Sequence, residues 1–159
     1  MDSTSKKKIH VIINPVSGTK SKKKIPTCIT NTLMDLGYDI DFFFTKREGH
    51  ATELATESVK AKVNYIIAVG GDGTINEVAK SLVNTDVILG IIPSGSGNGL
   101  ARDLHIPMNR TKAIEILKDG LIKKIDYGIA NDNIFFCTCG VGFDAMVSEK
   151  ALAQTNRGV

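Results

Sequence analysis

Gly70-Gly71-Asp72-Gly73-Thr74 is where this chain gathers residue types able to handle a phosphate. Glycine tolerates positive φ and lets another group come close to the backbone. The residues before it, Tyr65 to Val69, form an apolar run without polar alternation, as in a strand covered on both faces. After it, Ile75, Val78, Ala79 and Leu82 fall on one helical stripe. Strand, glycine turn and helix start together leave backbone N–H groups facing outward at a helix terminus that carries about half a positive charge, which suits an anion and phosphate above all. A plain βα turn with no ligand would use similar glycines. Asp72 argues against that simpler reading, because a carboxylate inside a phosphate cradle repels the ligand unless a metal ion or a reacting hydroxyl lies between them.

A second stretch, Pro93-Ser94-Gly95-Ser96-Gly97-Asn98, repeats the design of apolar strand, glycine turn and helix start. Ser94 and Ser96 supply hydroxyl donors, and Asn98 either fixes the loop or reaches a ligand. Asn14-Pro15-Val16-Ser17-Gly18 is a third turn, with Asn14 and Ser17 as hydrogen-bonding groups; alone it reads as an ordinary polar turn. Thr45, at the end of an apolar stretch, can donate to a phosphate or ribose, and His50 reads more simply as a structural group at the start of the following helix. The first strand is not followed by Gly-x-Gly-x-x-Gly, and no Gly-Lys-Ser/Thr loop occurs, which disfavours a dinucleotide-binding dehydrogenase and a P-loop enzyme.

The elements that must position these loops can be read from hydrophobic periodicity. Strands are expected at Lys8 to Ile13, Tyr38 to Thr45, Tyr65 onward and Val87 to Ile92. Helices are expected between them, one with Ile25, Ile29, Leu33 and Leu36 inward and stopped by Gly37, one from Glu48 to Val63 with Ala51, Leu54, Ala55 and Val59 inward. A further short helix spans Thr111 to Leu117. This alternation predicts an α/β fold, a parallel sheet with flanking helices built from right-handed βαβ units. Ligands of such sheets bind beyond the carboxyl ends of the strands, where Asn14–Gly18, Thr45–His50, Gly70–Thr74 and Pro93–Asn98 all lie. After Gly120 the pattern changes. Leu121 to Ile129 and Asn133 to Cys139 read as strands joined by Asn131-Asp132, a hairpin signal, and then a helix from Phe143 to Ala153. The expected division is residues 1–120 as the α/β nucleotide-binding domain and residues 121–159 as the start of a β-rich second domain too short to form its own core.

Gly70-Gly71-Asp72-Gly73-Thr74 with Asn76-Glu77-Val78 resembles the nucleotide-binding signature of the diacylglycerol kinase catalytic domain family, which includes bacterial lipid kinases, sphingosine kinases and ceramide kinases. NAD kinases and phosphofructokinases share the glycine–aspartate loop more distantly. The resemblance extends to Asn14–Gly18, to Thr45 with His50-Ala51, to Pro93–Arg102, to Asp126 and to Cys139-Gly140-Val141-Gly142-Phe143-Asp144-Ala145. It implies an ATP-dependent lipid kinase that passes the γ-phosphoryl group to a lipid hydroxyl such as that of diacylglycerol or a sphingoid base, with Mg²⁺ bridging the phosphates. It further implies nucleotide-binding roles for Asn14, Ser17, Thr45, Gly70, Gly71, Asp72, Gly73, Thr74, Asn76, Glu77, Gly95, Ser96 and Asn98. Asp72 is the implied catalytic residue, either as metal ligand or as acceptor of the hydroxyl proton, and Asp144 is implied to hold the acceptor lipid, with dipole compensation at a helix start as the alternative. Members of that family are longer, with a second domain that supplies further acidic groups, so the resemblance also implies a truncated chain. A catalytically silent nucleotide-binding module is therefore the alternative, and a soluble NAD kinase fits Pro93–Asn98 and Phe143-Asp144 poorly.

The 159 residues are 42% hydrophobic and 23% charged, which are globular values with room for one real core. No apolar run approaches a membrane span and no secretory signal comes after Met1, so a cytoplasmic protein is expected, attached peripherally to the inner membrane face where its lipid lies. The net charge of +3 is mild. Lys6, Lys7, Lys8, Lys20, Lys22, Lys23 and Lys24 crowd the amino-terminal segment, which reads first as a solvated tail and otherwise as attraction to anionic lipid headgroups. Nucleic acid is not an expected partner, since no aromatic-lined or base-reading pattern accompanies the lysines. Cys28, Cys137 and Cys139 lack zinc-site spacing and read as buried reduced thiols. Ile134, Phe135 and Phe136 are expected to leave an apolar face that favours homo-oligomer formation through residues 121–159.

Overall fold

A computed structural model describes residues 6–18, 21–137, 142, 145–147 and 150 of the chain. They fall into two units, one ending at Ile125 and the other beginning at Asp126. The first unit is the α/β layer structure. Strands β1 (Lys8–Ile13), β2 (Asp39–Phe44), β3 (Tyr65–Gly70) and β4 (Ile88–Pro93) form one sheet in the order β2-β1-β3-β4. Every pairing is parallel, with Ile13 beside Phe44 and Val69, and Gly70 beside Pro93. The carboxyl ends of all four strands therefore share one rim, and the turns after β1, β3 and β4 meet there.

Helices α1 (Ile25–Leu33), α2 (His50–Lys60) and α3 (Asp72–Leu82) connect these strands, and α4 (Gly99–Asp103) and α5 (Arg110–Asp119) follow β4. Alternate side chains of β1 go to opposite faces. Ile9, Val11 and Ile13 join Ile25, Ile29 and Leu33 of α1, Ile67, Val69 and Ile92 of the sheet, and Ile114 of α5 in one core cluster. On the other face His10 meets Ser58 of α2, with Nδ1 to Oγ at 2.8 Å. Because Ser58 Oγ donates to the Leu54 carbonyl at 2.7 Å, His10 Nδ1 is the donor in that pair. Along α3 the stripe Ile75, Val78, Ala79 and Leu82 is buried. Burying such side chains on both faces of a parallel sheet is the main stabilising term of the unit.

Four expectations need correction. Leu36 is exposed, because α1 ends at Leu33 and a single 3₁₀ turn, Met34–Leu36, takes the stripe out of phase before left-handed Gly37 stops it. Helix α2 is shorter at both ends than Glu48 to Val63, starting after left-handed Gly49. Leu121 to Ile129 is not one long strand: only β5 (Gly128–Ala130) pairs, antiparallel to β6 (Asn133–Phe135). Asn131 and Asp132 both take positive φ, the tight two-residue turn that Asn-Asp suggests. Residues 121–127 have no strand partner among the described residues, and Leu121 is 89% exposed. Finally, Cys28 and Cys137 are free but exposed rather than buried. Cys139 and the expected helix from Phe143 lie largely outside the described residues.

Candidate functional site

Helix α3 begins at the rim without a side-chain cap. Its N-cap residue, Gly71, is extended, and Ile75 N–H, donating to the Gly71 carbonyl at 3.1 Å, opens the helical ladder. The amides of Asp72, Gly73 and Thr74 thus belong to the first turn, where no intrahelical acceptor exists. Thr74 folds its side chain back over Gly70, where an added Cβ would lie 2.5 Å from Thr74 Cβ. Its hydroxyl accepts from Asn14 Nδ2 at 2.9 Å, and Asn14 N–H donates to the Val69 carbonyl at 2.9 Å. Asn14 also accepts from Val16 N–H at 3.1 Å, and Ser17 Oγ donates to the Asn14 carbonyl at 3.2 Å. The first turn is in this way sewn to the head of α3.

The turn after β4 is held against the same point. Ser94 N–H donates to the Gly70 carbonyl at 2.7 Å. Asp72 accepts on both carboxylate oxygens, from Asn98 N–H at 2.7 Å and from Gly99 N–H at 2.6 Å. Asn98, in the left-handed region with φ 54°, closes the loop on itself by accepting from Gly95 N–H and donating to the Gly95 carbonyl. Gly95 lies so near Gly71 that a Cβ on it would be 2.6 Å from the Gly71 Cα. Arg102 Nε reaches back to the Gly97 carbonyl at 2.8 Å. Asp72 is thus the clamp between the two glycine turns as well as the acid beside them. Ser96 is exposed on the second turn, while Ser94 is 5% exposed and its hydroxyl finds no partner among the described residues.

The remaining candidates divide. Thr45 comes directly after β2 and donates its N–H to the Ile13 carbonyl at 2.9 Å, on the rim but two strands from β3. His50 Nδ1 accepts from Lys46 N–H at 3.1 Å, a structural task. Asn76 is half-buried on α3. Glu77 is committed elsewhere: its carboxylate accepts from Gly49 and Ala51 N–H at 3.2 and 3.1 Å, capping the start of α2. That is an N-capping arrangement supplied from another helix, and its partners lie too far apart in sequence for any local pattern to reveal it. Asp144 lies outside the described residues.

Sequence reasoning also missed Lys22. Far from being solvated, it is 5% exposed, and its ammonium donates to the carbonyls of Ser17 and Pro15. Burial pulls its pKa below the usual lysine value, and the nearby Arg110 charge adds to this. The overlooked signal is spacing, since Lys22 is in phase with the Ile25, Ile29 and Leu33 stripe. A cleft of about 450 Å³ opens beside the second turn, lined among others by Gly18, Ser94, Ser96, Arg102 and Arg110. Another hollow, about 490 Å³, sits at the amino ends of β3 and β4 with Asn64, Tyr65 and Asp86. The second glycine turn and the orphan Ser94 hydroxyl line the former, and the first turn, Asn14–Gly18, reaches it through Gly18.

Among the described residues no group of three or more His, Cys, Asp or Glu side chains is placed to hold a metal ion. Asp72 alone still fits Mg²⁺, which keeps most of its water and takes one or two carboxylates plus substrate phosphates. Each of its oxygens retains a lone pair after one amide bond. No helix among the described residues is long and apolar enough to cross a membrane.

The family described as the diacylglycerol kinase catalytic domain matches residues 8–130. A diacylglycerol kinase of Bacillus subtilis is 37% identical over 139 residues, covering 86% of this chain and 46% of that protein. One from Staphylococcus epidermidis is 33% identical over 132 residues, covering 82% and 42%. The crystal structure of a diacylglycerol kinase from Bacillus anthracis superposes with a TM-score of 0.73 at 32% identity, covering 83% of this chain and 49% of that one. The chain thus spans less than half the length of these relatives.

Proposed function

The chain belongs to the diacylglycerol kinase catalytic domain family, and on that premise we propose that it binds the triphosphate of ATP at the rim and directs the γ-phosphoryl group to a lipid hydroxyl, that of diacylglycerol or a sphingoid base. One observation carries this reading: an uncapped helix start docked onto a second glycine turn through a single carboxylate. Phosphoryl transfer needs positioning and charge neutralisation more than covalent help. The Gly73 and Thr74 amides and the α3 dipole supply both for phosphate oxygens, with Gly70 and Gly71 keeping the backbone thin. The exposed Ser96 hydroxyl and Thr45 add donors, Asn14, Ser17 and Asn98 hold the turns in shape, and Asn76 flanks them. Bound Mg²⁺ would be held by Asp72 and the phosphates and would neutralise the charge that develops on them. We assign Asp72 the metal side of this chemistry rather than the proton, because taking a proton would weaken its hold on Asn98 and Gly99. Glu77 acts by fixing α2 and not by touching nucleotide.

We further take residues 1–120 as the nucleotide domain and 121–159 as the beginning of the lipid-binding one, with Asp144 toward the acceptor. Exposed Leu121, Ile122 and Ile129 support self-association of that segment. The exposed lysines support a cytoplasmic protein resting on an anionic membrane surface. The test is incubation of the chain with labelled ATP, Mg²⁺ and diacylglycerol or sphingosine in mixed micelles. Phosphorylated lipid is the expected product. ATP binding measured by calorimetry without any turnover would favour the second reading, a silent nucleotide-binding module. Absence of both binding and turnover would refute the two together.

A further inference from the structure

Lys23 and Lys24 are exposed, yet Lys22 is buried with its ammonium on the Ser17 and Pro15 carbonyls and with no carboxylate partner among the described residues. A buried charge lacking a counter-ion carries a desolvation cost that no opposite charge offsets. Stability alone therefore gives little reason to have a lysine here. The geometry of the loop gives a better one. A peptide unit is planar and trans, so its C=O and N–H point in opposite directions. Drawing the Ser17 carbonyl onto Lys22 turns the Gly18 N–H away from it. That N–H has no acceptor among the described residues. Gly18 is exposed, sits at φ +62°, and lies at the lip of the cleft with Ser94, Ser96 and Arg110. A Cβ there would fall 2.5 Å from the Ser94 carbonyl oxygen, so the two loops touch at this point.

We propose that Lys22 is a positioning residue: it pins the Pro15 and Ser17 carbonyls inward so that the Gly18 amide is presented to a phosphate oxygen of the nucleotide. The inference rests on the ATP-binding reading above and adds a role for a residue with no contact to the ligand. Its charge, beneath the loop and near that of Arg110, strengthens the attraction of the same spot for an anion.

The test pairs calorimetric titration of ATP with the Gly18 amide resonance in ¹⁵N-resolved spectra, on wild type, Lys22→Met and, as a control of equal charge, Lys23→Met. A hydrogen bond to a charged group predicts that Lys22→Met weakens ATP at least about tenfold, while its melting temperature stays level or rises. Lys23→Met should bind within about twofold of wild type, as surface charge changes usually do. Saturating ATP should move the Gly18 amide proton in wild type and not in Lys22→Met. A Lys22→Met protein that binds ATP like wild type, with the Gly18 shift retained, overturns this proposal and leaves the nucleotide reading standing. Wild type that binds no ATP overturns both. Should Lys22→Met fail to fold, the wild-type spectrum decides alone: a Gly18 amide that does not respond to saturating ATP refutes the proposal.

Discussion

The turns after β3 and β4 are built from the same vocabulary, yet they do different things. The first opens an eleven-residue helix, α3, whose leading amides no side chain caps. The second opens a five-residue helix, α4, and two of the amides at its start, those of Asn98 and Gly99, are already taken by Asp72. One turn therefore leaves its leading amides open, as the proposed phosphate site requires, and the other braces. Glycine content does not distinguish them. The length of the helix each turn opens, and the direction taken by the neighbouring carboxylate, do. Even the glycines differ in purpose. At Gly95 the backbone of Gly71 leaves no room for a side chain, whereas at Gly73 a Cβ would meet nothing within 4 Å.

That contrast can be broken at its strongest point first. Gly95→Ala forces a Cβ against the Gly71 backbone, so the turns must part. We expect a loss of roughly 1–3 kcal/mol, as for other overpacked sites, together with loss of measurable ATP binding, read by thermal unfolding and calorimetry. Asp72→Asn keeps the size but offers one acceptor where two amides donate, and turns an NH₂ toward the other. A destabilisation of about 1–3 kcal/mol is expected, with loss of Mg²⁺-dependent nucleotide affinity; an unchanged melting temperature would show that the clamp contributes nothing. Ser94→Ala removes a buried hydroxyl with no partner among the described residues and should raise stability by up to about 1 kcal/mol while leaving the fold unchanged. Gly73→Ala, in the first turn of α3 and with open space around it, should stabilise by about 0.5–1 kcal/mol through helix propensity. If Gly73→Ala instead cost as much as Gly95→Ala, the distinction between an open and a bracing turn would be lost.

Much of this was written in the sequence because it rests on local periodicity. The apolar run of β3, the stripe of α3 and the strand–helix alternation each have a fixed period, and parallel order comes from right-handed crossovers. The glycine turns were legible as a pair for the same reason. The hidden features depend on long-range partners. Glu77 looked like part of the nucleotide signature, and nothing near it in the chain points to the amides of Gly49 and Ala51. Lys22 sat inside a lysine-rich stretch whose average character is solvated, and only its phase with Ile25 and Ile29 marks it as different. Leu121 to Tyr127 has strand-like composition, but a strand needs a neighbour to pair with, and composition cannot supply one.

The grip of Glu77 on the head of α2 has an evolutionary consequence. The Glu77 carboxylate ties the helix that opens at the first glycine turn to the loop leading on from Thr45, beside the Thr52 and Ser81 hydroxyl contacts that also join α2 and α3. Because the donors are backbone amides, segment 49–51 is free to change its side chains, proline excepted, whereas position 77 must keep an acceptor of the same reach. Loss of the carboxylate at position 77 would leave two donors at the head of α2 unmatched.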